Sequence, residues 1–435
     1  MIQLIKKYKK TSILLAVILT ITSLTSYYFG ALSYHYKFFP FNSKIKKVEE
    51  QISFIETAKN NLKLLEYNLP TYKKYGAIDN FKDKIIFVDN DGFFYLFDTK
   101  KNKSFVKIKS PILINNKKKF IKKYEDELGT VRLENLFGTR DILIETINGQ
   151  NQIFLSSLDY NVQNDCYVIS VYNSQIKDKD NEILINNWKK IFSSNPCLKT
   201  DLTPNDLFAS SSSGGRIEKL DEFNILITLG DFYADGVNGP ILSQKLDNDY
   251  GKIVQLNINT KQKKFFSVGH RNPQGLFVKK NKEIFSTEHG PEGGDELNLI
   301  LENKNYGWPY ETLGTDYNSK IWPLTKKNRI IDNYEKPLFS WGPGLGISNL
   351  IVYDSNYFFE WKDNILVTSL IGNKIIRLVY DKENNKIDYI EYIKLNHRIR
   401  DIIELKDGRI AILTDVLDAN AFGSIPKLLI LEKNL

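Results

Sequence analysis

Short runs of alternating apolar and polar residues fill the chain from about residue 75 onward, and Gly, Asp and Asn separate the runs. Such runs predict β-strands, and no helical period of useful length is visible among them. Paired strands recur six times, at 84–87 with 93–96, 152–155 with 167–170, 224–227 with 252–255, 283–286 with 297–300, 364–367 with 375–378, and 409–412 with 427–430. A recurring β unit is typical of a propeller and argues against paired β-sandwiches. We therefore expect an all-β, six-bladed β-propeller over residues 75–435.

The amino-terminal residues follow a different pattern. Residues 1–10 are basic, and residues 11–36 contain no Lys, Arg, Asp or Glu. A hydrocarbon core of roughly 30 Å needs about 20 helical residues, so this run can span a membrane. Lysines before the span and none directly after it favour a cytoplasmic amino terminus and an exported body. We expect a cytoplasmic basic segment at 1–10, a single-pass transmembrane signal-anchor at 11–36 and a periplasmic or extracellular propeller; a cleaved signal peptide is the alternative.

The segment at 37–74 links the predicted anchor to the propeller. Between Lys44 and Leu65, apolar residues fall near a spacing of three and four, at Ile45, Val48, Ile52, Ile55 and Leu62. This spacing predicts a helix. We therefore expect residues 37–74 to form a stalk that contains one short helix.

Composition supports a folded β protein. Hydrophobic residues make up 42% of the chain, and the aromatic residues are 26 Phe, 24 Tyr and 5 Trp. This content excludes a disordered chain and favours strands. The net charge is +8, and Lys6, Lys7, Lys9 and Lys10 supply half of it before any acidic residue appears. The remaining charge is too small to indicate a nucleic-acid partner.

Two cysteines, Cys166 and Cys197, are the only ones in the chain. In an exported protein they can form a disulfide, because the compartment is oxidising. Closing a loop of this length would contribute about 3–4 kcal/mol in the chain-entropy model. Two buried thiols are the alternative, and two cysteines alone do not make a zinc site.

Residues 269–276, with the sequence GHRNPQGL, concentrate polar chemistry in one loop. The loop holds an imidazole, a guanidinium and two side-chain amides. A guanidinium can bind a carboxylate or a quinone oxygen with two parallel hydrogen bonds. A solvated turn is the alternative, and it is less common for all of these residues together than for any one of them.

Residues 288–296, EHGPEGGDE, combine glycines with carboxylates, and residues 305–309, NYGWP, and Asp316 follow them. Glycines expose backbone carbonyls, and calcium takes six to eight oxygen donors of both kinds. The spacing is not that of an EF-hand. A calcium site or a metal-free structural turn are both open from the residues alone.

Residues 397–401, HRIRD, place Arg398 and Arg400 on one face of a predicted strand. Two neighbouring guanidiniums repel each other unless an anion lies between them. The hypothesis is that this anion is a ligand. The alternative is a solvated strand edge on which Asp401 is the partner.

Four segments in this order, GHRNPQGL, TEHGPEGGDELNLI, NYGWP and NHRIRD, resemble the soluble quinoprotein glucose/sorbosone dehydrogenase family. The resemblance extends from about Ser211 to Leu431 and is weak before that. It implies an exported six-bladed propeller that oxidises aldose sugars with pyrroloquinoline quinone (PQQ) and calcium and passes the electrons to an acceptor that the sequence does not name.

The resemblance assigns roles to particular residues of this chain. Cofactor binding is implied for Arg271, Asn272, His289, Arg398 and Arg400. Backbone carbonyls of Gly290 and Pro291 would hold the cofactor's calcium, and a second, structural calcium is implied at Glu296, Tyr306 and Asp316. The cofactor's three carboxyl groups would supply the anion between Arg398 and Arg400.

The chain departs from the family pattern at the catalytic base. The family has a histidine four positions before the Arg of a Gly-Arg motif, and Ser212 stands there. A serine hydroxyl cannot act as a general base near neutral pH, because its pKa is far too high. His289 is the best substitute by position, and Asp231 is a second candidate. Two weaker departures are Ile371, where some members have a lysine, and a cofactor-facing Gln that is not recognisable near 136–141.

Two functions therefore remain open from the sequence. The first is a membrane-anchored, PQQ-dependent sugar dehydrogenase with a displaced base. The second is a catalytically lapsed propeller that binds a sugar or a protein partner without redox turnover. Arg271, Asn272, Arg398 and Arg400 favour the first, whereas Ser212 and Ile371 favour the second.

Overall fold

A computed structural model describes residues 22–23, 25–26, 51–71, 76–100, 103–179, 182–202, 208, 210–325, 334–416 and 425–434. The chain divides into two compact units, Met1–Glu49 and Glu50–Leu435, and all of the described strands belong to the second. The predicted basic segment at 1–10 and nearly all of the predicted anchor at 11–36 lie outside the described residues. Within the described part of the chain, no helix has the length and apolar character needed to cross a membrane.

Twenty-seven strands and two α-helices are described. The helices are α1 (Lys117–Leu128) and α2 (Thr130–Leu136). The strands are β1 (Gln51–Glu56), β2 (Asn61–Asn68), β3 (Gly76–Phe81), β4 (Lys84–Asp89), β5 (Phe94–Phe97), β6 (Phe105–Lys107), β7 (Thr139–Ile147), β8 (Gln150–Asn161), β9 (Cys166–Lys179), β10 (Glu182–Ile185), β11 (Lys189–Ser193), β12 (Gly214–Lys219), β13 (Asn224–Leu229), β14 (Lys252–Asn257), β15 (Lys263–Val268), β16 (Pro273–Val278), β17 (Ile284–Glu288), β18 (Asp295–Leu299), β19 (Lys304–Asn305), β20 (Phe339–Trp341), β21 (Ile347–Val352), β22 (Ile365–Ser369), β23 (Lys374–Asp381), β24 (Lys386–Lys394), β25 (Ile399–Glu404), β26 (Ile410–Thr414) and β27 (Lys427–Lys433).

These strands form six separate sheets. The sheets are β3-β4-β5-β6, β7-β8-β9 with β10 and β11 along its outer edge, β12-β13-β14-β15-β19, β16-β17-β18-β20, β21-β22-β23-β24, and β25-β26-β27-β2-β1. The first strands, β3, β7, β12, β16, β21 and β25, contact one another in that order, and β25 contacts β3 again. The prediction of a six-bladed propeller is therefore confirmed, and each of the six predicted strand pairs is the second and third strand of one blade.

The helix predicted between Lys44 and Leu65 is wrong in its described part. Residues 51–56 and 61–68 are strands β1 and β2, which pair with each other, and β2 also pairs along its length with β27. In β2, Leu62 and Leu64 are buried on one face and Leu65 and Tyr67 on the other, a strand-like pattern that the helical spacing obscured. The described propeller therefore begins at Gln51 and not near residue 75, and blade six joins the two ends of the propeller.

Helices α1 and α2 were not expected from the sequence, because their apolar positions are few. They lie between blades one and two, and they bury Phe120, Tyr124 and Leu133. Phe120 packs on Phe137 and Phe208 with ring centroids 4.7 Å away in both cases. The helices thus follow blade one in the sequence but pack on the hydrophobic cluster that joins blades two and three.

The hydrophobic core lies between neighbouring blades. One cluster joins Phe154 and Ile169 of blade two to Ile227 and Val254 of blade three. Comparable clusters join blades one and two, three and four, four and five, and five and six. Strands packed on both faces read as near-continuous apolar runs, which is why the paired strands were recognisable in the sequence.

The predicted disulfide between Cys166 and Cys197 is present, with Cα atoms 5.5 Å apart. It connects the start of β9 to the segment that follows β11. Cys166 is buried. The bond therefore fixes the outer part of blade two and lies away from the innermost strands.

Carboxylates on the innermost strands bind backbone N–H groups of the neighbouring strand. The donors and acceptors are Ile144 to Asp79 (2.6 Å), Ile217 to Asp141 (2.8 Å) and Ile78 to Asp401 (3.0 Å). The Arg216 guanidinium lies between Asp141 and Asp401, at 2.9 and 3.0 Å. These groups line a cavity of about 380 Å³ in the central channel. The channel wall is thus held together by charge-assisted hydrogen bonds.

Candidate functional site

The loops that carry the predicted chemistry lie at one end of the propeller. Successive strands of a blade run in opposite directions, so the loops before each first strand and between the second and third strands share an end. Contacts join these loops across blades: Arg271 Nη1 donates to Gly290 O (2.6 Å), Asn272 Nδ2 to Ser211 O (3.3 Å), and His289 Nε2 to Ile347 O. Segments before β12, β16 and β21 therefore meet at the mouth of the channel.

Glycines permit the close approach of these loops. Gly269 has φ +78°, and a Cβ there would lie 2.1 Å from Asn305 Oδ1. Gly294 has φ +66°, and a Cβ there would lie 2.2 Å from Gly314 N. No other residue type fits these two positions without displacing backbone.

Arg271 is held between two aromatic rings. Its guanidinium carbon lies 5.3 Å from the ring centre of Trp308 and 5.6 Å from that of Tyr233. Nη1 donates to the carbonyls of Gly290 and His289, whereas Nε is buried and has no hydrogen-bond partner among the described residues. No described carboxylate lies within 4.0 Å of this guanidinium in an ion pair. Arg271 therefore presents a buried positive charge that no contacting acid neutralises.

A chain of amides connects Arg400 to the loop before β12. Arg400 Nη1 donates to Gln274 Oε1 (3.3 Å), and Gln274 Nε2 donates to Asn272 Oδ1 (2.8 Å). The same Asn272 oxygen accepts from the backbone N–H of Gly214 (3.2 Å). Gln274 belongs to the predicted ligand loop but was not named as a site residue. The side-chain amide of Gln274 joins Asn272 and Arg400 in one hydrogen-bond network.

The anion beside the arginine pair is a residue of the protein. Asp415 Oδ2 lies 2.5 Å from Arg400 Nη2 and 3.6 Å from Arg398 Nε. Burial opposes ionisation of Asp415, yet Arg400 and Arg398 lower its pKa below the usual value. The alternative that Asp401 is the partner is wrong, because Asp401 binds Arg216 and Asn349 in the channel. Asp415 therefore bridges the two guanidiniums.

His289 is half-buried near the arginines. Its Nε2 donates to the Ile347 carbonyl, so Nδ1 is the nitrogen that can accept a proton. Burial lowers the pKa of His289, and the positive charges of Arg271 and Arg400 lower it further. The imidazole is therefore neutral at pH 7. Asp295 shapes the same loop, since it accepts N–H groups from Gly290 (3.2 Å) and Gly346 (2.7 Å).

Ser212, at the family's base position, lies on a 3₁₀ turn at Ser210–Ser212 and is buried. Its hydroxyl donates to Asp231 Oδ1 at 2.7 Å. Burial raises the pKa of Asp231 to about 6, although Arg271, Ser212 and Trp308 favour its charged form. A carboxyl group with a raised pKa thus lies directly behind the serine.

His270 is inside the protein and not in the mouth. Its Nδ1 lies 2.8 Å from Glu288 Oε2, and its Nε2 lies 2.8 Å from Ser267 Oγ. The ring stacks on Tyr306 and is fully buried. These contacts resemble those of a hydrolase triad, but all three polar residues are covered, so their effect is to fix the loop that carries Arg271.

The residues proposed for a structural calcium are only partly brought together. Glu296 and Tyr306 line a void of about 10 Å³, with Glu288 as a third wall. Burial and the neighbouring Glu288 raise the pKa of Glu296 to about 8. Asp316 does not line the void, because its carboxylate accepts N–H groups within its own hairpin, from Asn318 and Lys320. Among the described residues, no group of three or more His, Cys, Asp or Glu side chains is arranged to hold a metal ion.

Arg140 is a residue of the mouth that the sequence did not identify. It stands at the start of β7, within the region where the expected Gln was not recognisable. Its Nε donates to Ser213 Oγ at 2.9 Å. A Cβ at Gly215 would lie 2.6 Å from Arg140 Cβ. The only sequence signal is its place directly before Asp141, which parallels Arg400 before Asp401.

Comparison with known proteins identifies relatives of this chain. Residues 100–423 match the family described as Glucose / Sorbosone dehydrogenase. An uncharacterized protein of Synechocystis sp., slr1608, is 31% identical over 230 residues, which cover 46% of this chain and 53% of that protein. The match therefore spans about half the length of that relative. Quinoprotein glucose dehydrogenase B of Acinetobacter calcoaceticus is 25% identical over 357 residues, 63% of this chain and 74% of that one.

A solved structure shares the fold. It is the soluble aldose sugar dehydrogenase of Escherichia coli in its apo-form, with a TM-score of 0.65 and 21% sequence identity. The superposition covers 85% of this chain and 99% of that chain. At this level of identity the likeness concerns the fold alone.

Proposed function

The chain belongs to the glucose/sorbosone dehydrogenase family, and from this premise we propose that it oxidises an aldose sugar with PQQ at the mouth of the propeller. The bound quinone would accept the hydride from the sugar carbon. The residues that would hold it are Arg271 and Asn272 on one side and Arg398 and Arg400 on the other. His289 would pack beside the same ligand.

The observation that carries this proposal is the state of Arg271. Its guanidinium is buried, lies between the rings of Trp308 and Tyr233 and contacts no carboxylate among the described residues. Burying an uncompensated charge is costly unless a partner of opposite charge completes the site. A planar, multiply negative ligand supplies that partner and can stack on the same aromatic surface. Arg398 and Arg400 add two further cationic side chains, both of which contact Asp415.

The residues predicted to bind calcium differ in how well they suit a cation. The Gly290 carbonyl already accepts a hydrogen bond from the Arg271 guanidinium. This bond uses one of the two lone pairs with which the carbonyl could bind calcium. Glu296 and Glu288 fit better, because a half-buried and a buried carboxylate that repel each other are stabilised by a divalent ion. We propose that any calcium binds first at these carboxylates, and that Asp316 takes no part.

We also propose that the propeller is exported and tethered to the membrane by residues 11–36. The support is the basic segment before an uncharged stretch long enough to span the hydrocarbon core. A Cys166–Cys197 bond accords with an oxidising compartment. Protease protection and carbonate extraction of cell membranes test this proposal: a chain released by carbonate would contradict the anchor.

The second candidate is a propeller that binds ligand without turnover, and the serine at position 212 favours it. The two functions are separated with the full chain, calcium and PQQ, by thermal shift and by aldose-dependent dye reduction. Absence of a thermal shift at high micromolar PQQ would rule out the cofactor. A shift without turnover, together with activity gained by Ser212→His, would identify a lapsed enzyme.

A further inference from the structure

The hydrogen bond between Ser212 and Asp231 crosses from the loop before β12 to the loop after β13. The two oxygens are 2.7 Å apart, and both side chains are buried. Asp231 is completely covered, and the serine is one of the groups that cover it. A proton that approaches Asp231 Oδ1 from the side of Ser212 would therefore pass through the serine hydroxyl.

Other contacts hold the carboxylate in this orientation. Its Oδ2 accepts the indole N–H of Trp308 at 2.7 Å, and its Oδ1 also accepts the backbone N–H of Tyr233 at 2.9 Å. The backbone N–H of Asp231 donates to the carbonyl of Arg271 at 2.8 Å. The residue is thus linked to the same aromatic and cationic groups that are proposed to hold the cofactor.

We propose that Ser212 and Asp231 together accept the proton of the substrate hydroxyl, so that Asp231 is the base of this chain and Ser212 relays the proton to it. The inference rests on the proposed function. The substrate O–H bond breaks and its proton passes to Ser212 Oγ, while the serine proton passes to Asp231 Oδ1. PQQ, when bound, would supply the two-electron oxidant that takes the hydride from the substrate carbon, which would become a carbonyl.

Such a relay would allow Ser212 to take part in proton transfer although the pKa of a serine hydroxyl is too high for a general base. A serine alone has no useful basicity at neutral pH, but a carboxylate that takes the serine proton supplies it. The charged and titratable groups that face Asp231 are Arg271, Asp235 and Tyr233. Burial raises the pKa of Asp231 to about 6, which is within the range where a general base works near pH 7.

His289 is the competing base, and the structure makes it the weaker one. Its Nε2 is committed to the Ile347 carbonyl, and burial together with two neighbouring arginines disfavours its protonated form. If His289 were the base, its replacement by Asn would remove the pH dependence of the rate, and the relay would be overturned. We expect His289→Asn to change cofactor affinity and to leave the pH inflection in place.

The first measurement needs neither cofactor nor turnover. Difference infrared spectra between wild type and Asp231→Asn isolate the carboxyl band of Asp231, which is then titrated. We expect an inflection near pH 6 in wild type. In Ser212→Ala the inflection moves to higher pH, because a hydrogen bond that stabilises the carboxylate is lost. An unchanged inflection in Ser212→Ala would overturn the coupling of the two residues.

The second measurement uses the full chain with calcium and PQQ. Asp231→Asn should lower kcat by about 10²–10⁴-fold, the usual effect of losing a positioned base. Ser212→Ala should lower kcat and shift the inflection of kcat/KM upward, whereas Ser212→Thr, which keeps the hydroxyl, should retain the wild-type inflection. Ser210→Ala is the matched control, because this serine on the same turn donates to Leu136 O and does not contact Asp231.

The outcomes separate this inference from the proposed function. If wild type oxidises aldoses and both Asp231→Asn and Ser212→Ala keep its rate and pH profile, the relay is overturned and the dehydrogenase stands. If wild type binds no PQQ, the proposed function fails and the relay fails with it. Loss of rate with an unchanged PQQ thermal shift supports the relay, because a merely structural role would disturb binding as well.

Discussion

Two buried arginines show how the channel and the mouth differ. In the channel, Arg216 uses its whole guanidinium: Nη1 binds Asp141 and Asp401, Nη2 donates to Arg400 O, and Nε donates to Gln274 O at 2.7 Å. At the mouth, Arg271 contacts carbonyls and aromatic rings, and its Nε has no partner among the described residues. Both side chains are almost completely buried. The fold uses every nitrogen of the Arg216 guanidinium as a donor, whereas Arg271 keeps one donor unused among the described residues, as a ligand-binding role would require.

The largest effect is expected from Arg216→Met. The change leaves Asp141 and Asp401 buried without their shared cation, and breaking a buried pair in this way costs about 3–5 kcal/mol. Urea unfolding of the full chain measures the loss. Lys280→Met, in an exposed pair with Asp354, serves as control and should leave the midpoint unchanged. A loss below about 1 kcal/mol for Arg216→Met would remove the distinction between the two arginines.

The reverse pattern is expected for Arg271→Met. Stability should change less than in Arg216→Met, because no described carboxylate forms an ion pair with Arg271, although Asp231 loses a nearby charge that favours its ionised form. The dissociation constant for PQQ should rise more than about thirty-fold, since the loss of a buried charged contact costs at least about 2 kcal/mol. Equilibrium titration monitored by cofactor absorbance measures it. Arg271→Lys keeps the positive charge but loses the two-pronged guanidinium, so its PQQ dissociation constant should lie between those of wild type and Arg271→Met. An Arg271→Met variant that binds PQQ as tightly as wild type would contradict a cofactor-binding role for Arg271.

A smaller effect concerns pH. Burial raises the pKa of Asp141 to about 7; Arg216 opposes this shift, whereas the neighbouring Asp401, which shares the same guanidinium, contributes to it. The folded chain therefore binds more protons than the unfolded chain between about pH 4 and 7, and stability should fall as pH rises through this interval. One such group contributes at most about 1.4 kcal/mol per pH unit. Asp141→Asn should flatten the measured slope, and an identical slope would show that the channel acids titrate normally.

The smallest effect is expected from Ile371→Lys. Ile371 lies in the β22–β23 loop, and 71% of it is exposed. A lysine there adds positive charge to the mouth, but solvent screens an exposed cation, so PQQ affinity should rise only a few-fold. The gain should disappear at high salt. Ile371→Gln controls for the loss of apolar surface, and an equal gain from that variant would exclude an electrostatic cause.

The six blades were predictable from sequence because their middle strands are local features. Each pair, such as β13 and β14, is a continuous apolar run bounded by turn residues. Strands β1 and β2 were mistaken for a helix because Ile52, Ile55 and Leu62 fall near a helical spacing, although the first two lie in β1 and the third in β2. The true partner of β2, strand β27, lies at the other end of the chain, and no local pattern reports a pairing of that separation.

The residues of the candidate site also fall into those that the local sequence indicated and those that only the folded structure reveals. The loops of Arg271 and Arg400 were found because their polar residues are adjacent in sequence. Asp415 was missed as the partner of the arginines because it follows β26, and its place beside Arg400 depends on strand register. Asp231 was found only as one candidate among several, since its hydrogen bond to Ser212 joins two loops that approach only in the folded propeller.

The pairing of β2 with β27 has a consequence for how the protein is made. The sixth sheet takes two strands from the beginning of the described propeller and three from its end. During translation, β1 and β2 are the first of the described strands to leave the ribosome. They cannot pair with β27 until nearly the whole chain has been synthesised. Until then the nascent polypeptide exposes unpaired backbone groups along the edge of β2. A chain that terminates before Lys427 would lack β27, so β2 could not join the sixth blade.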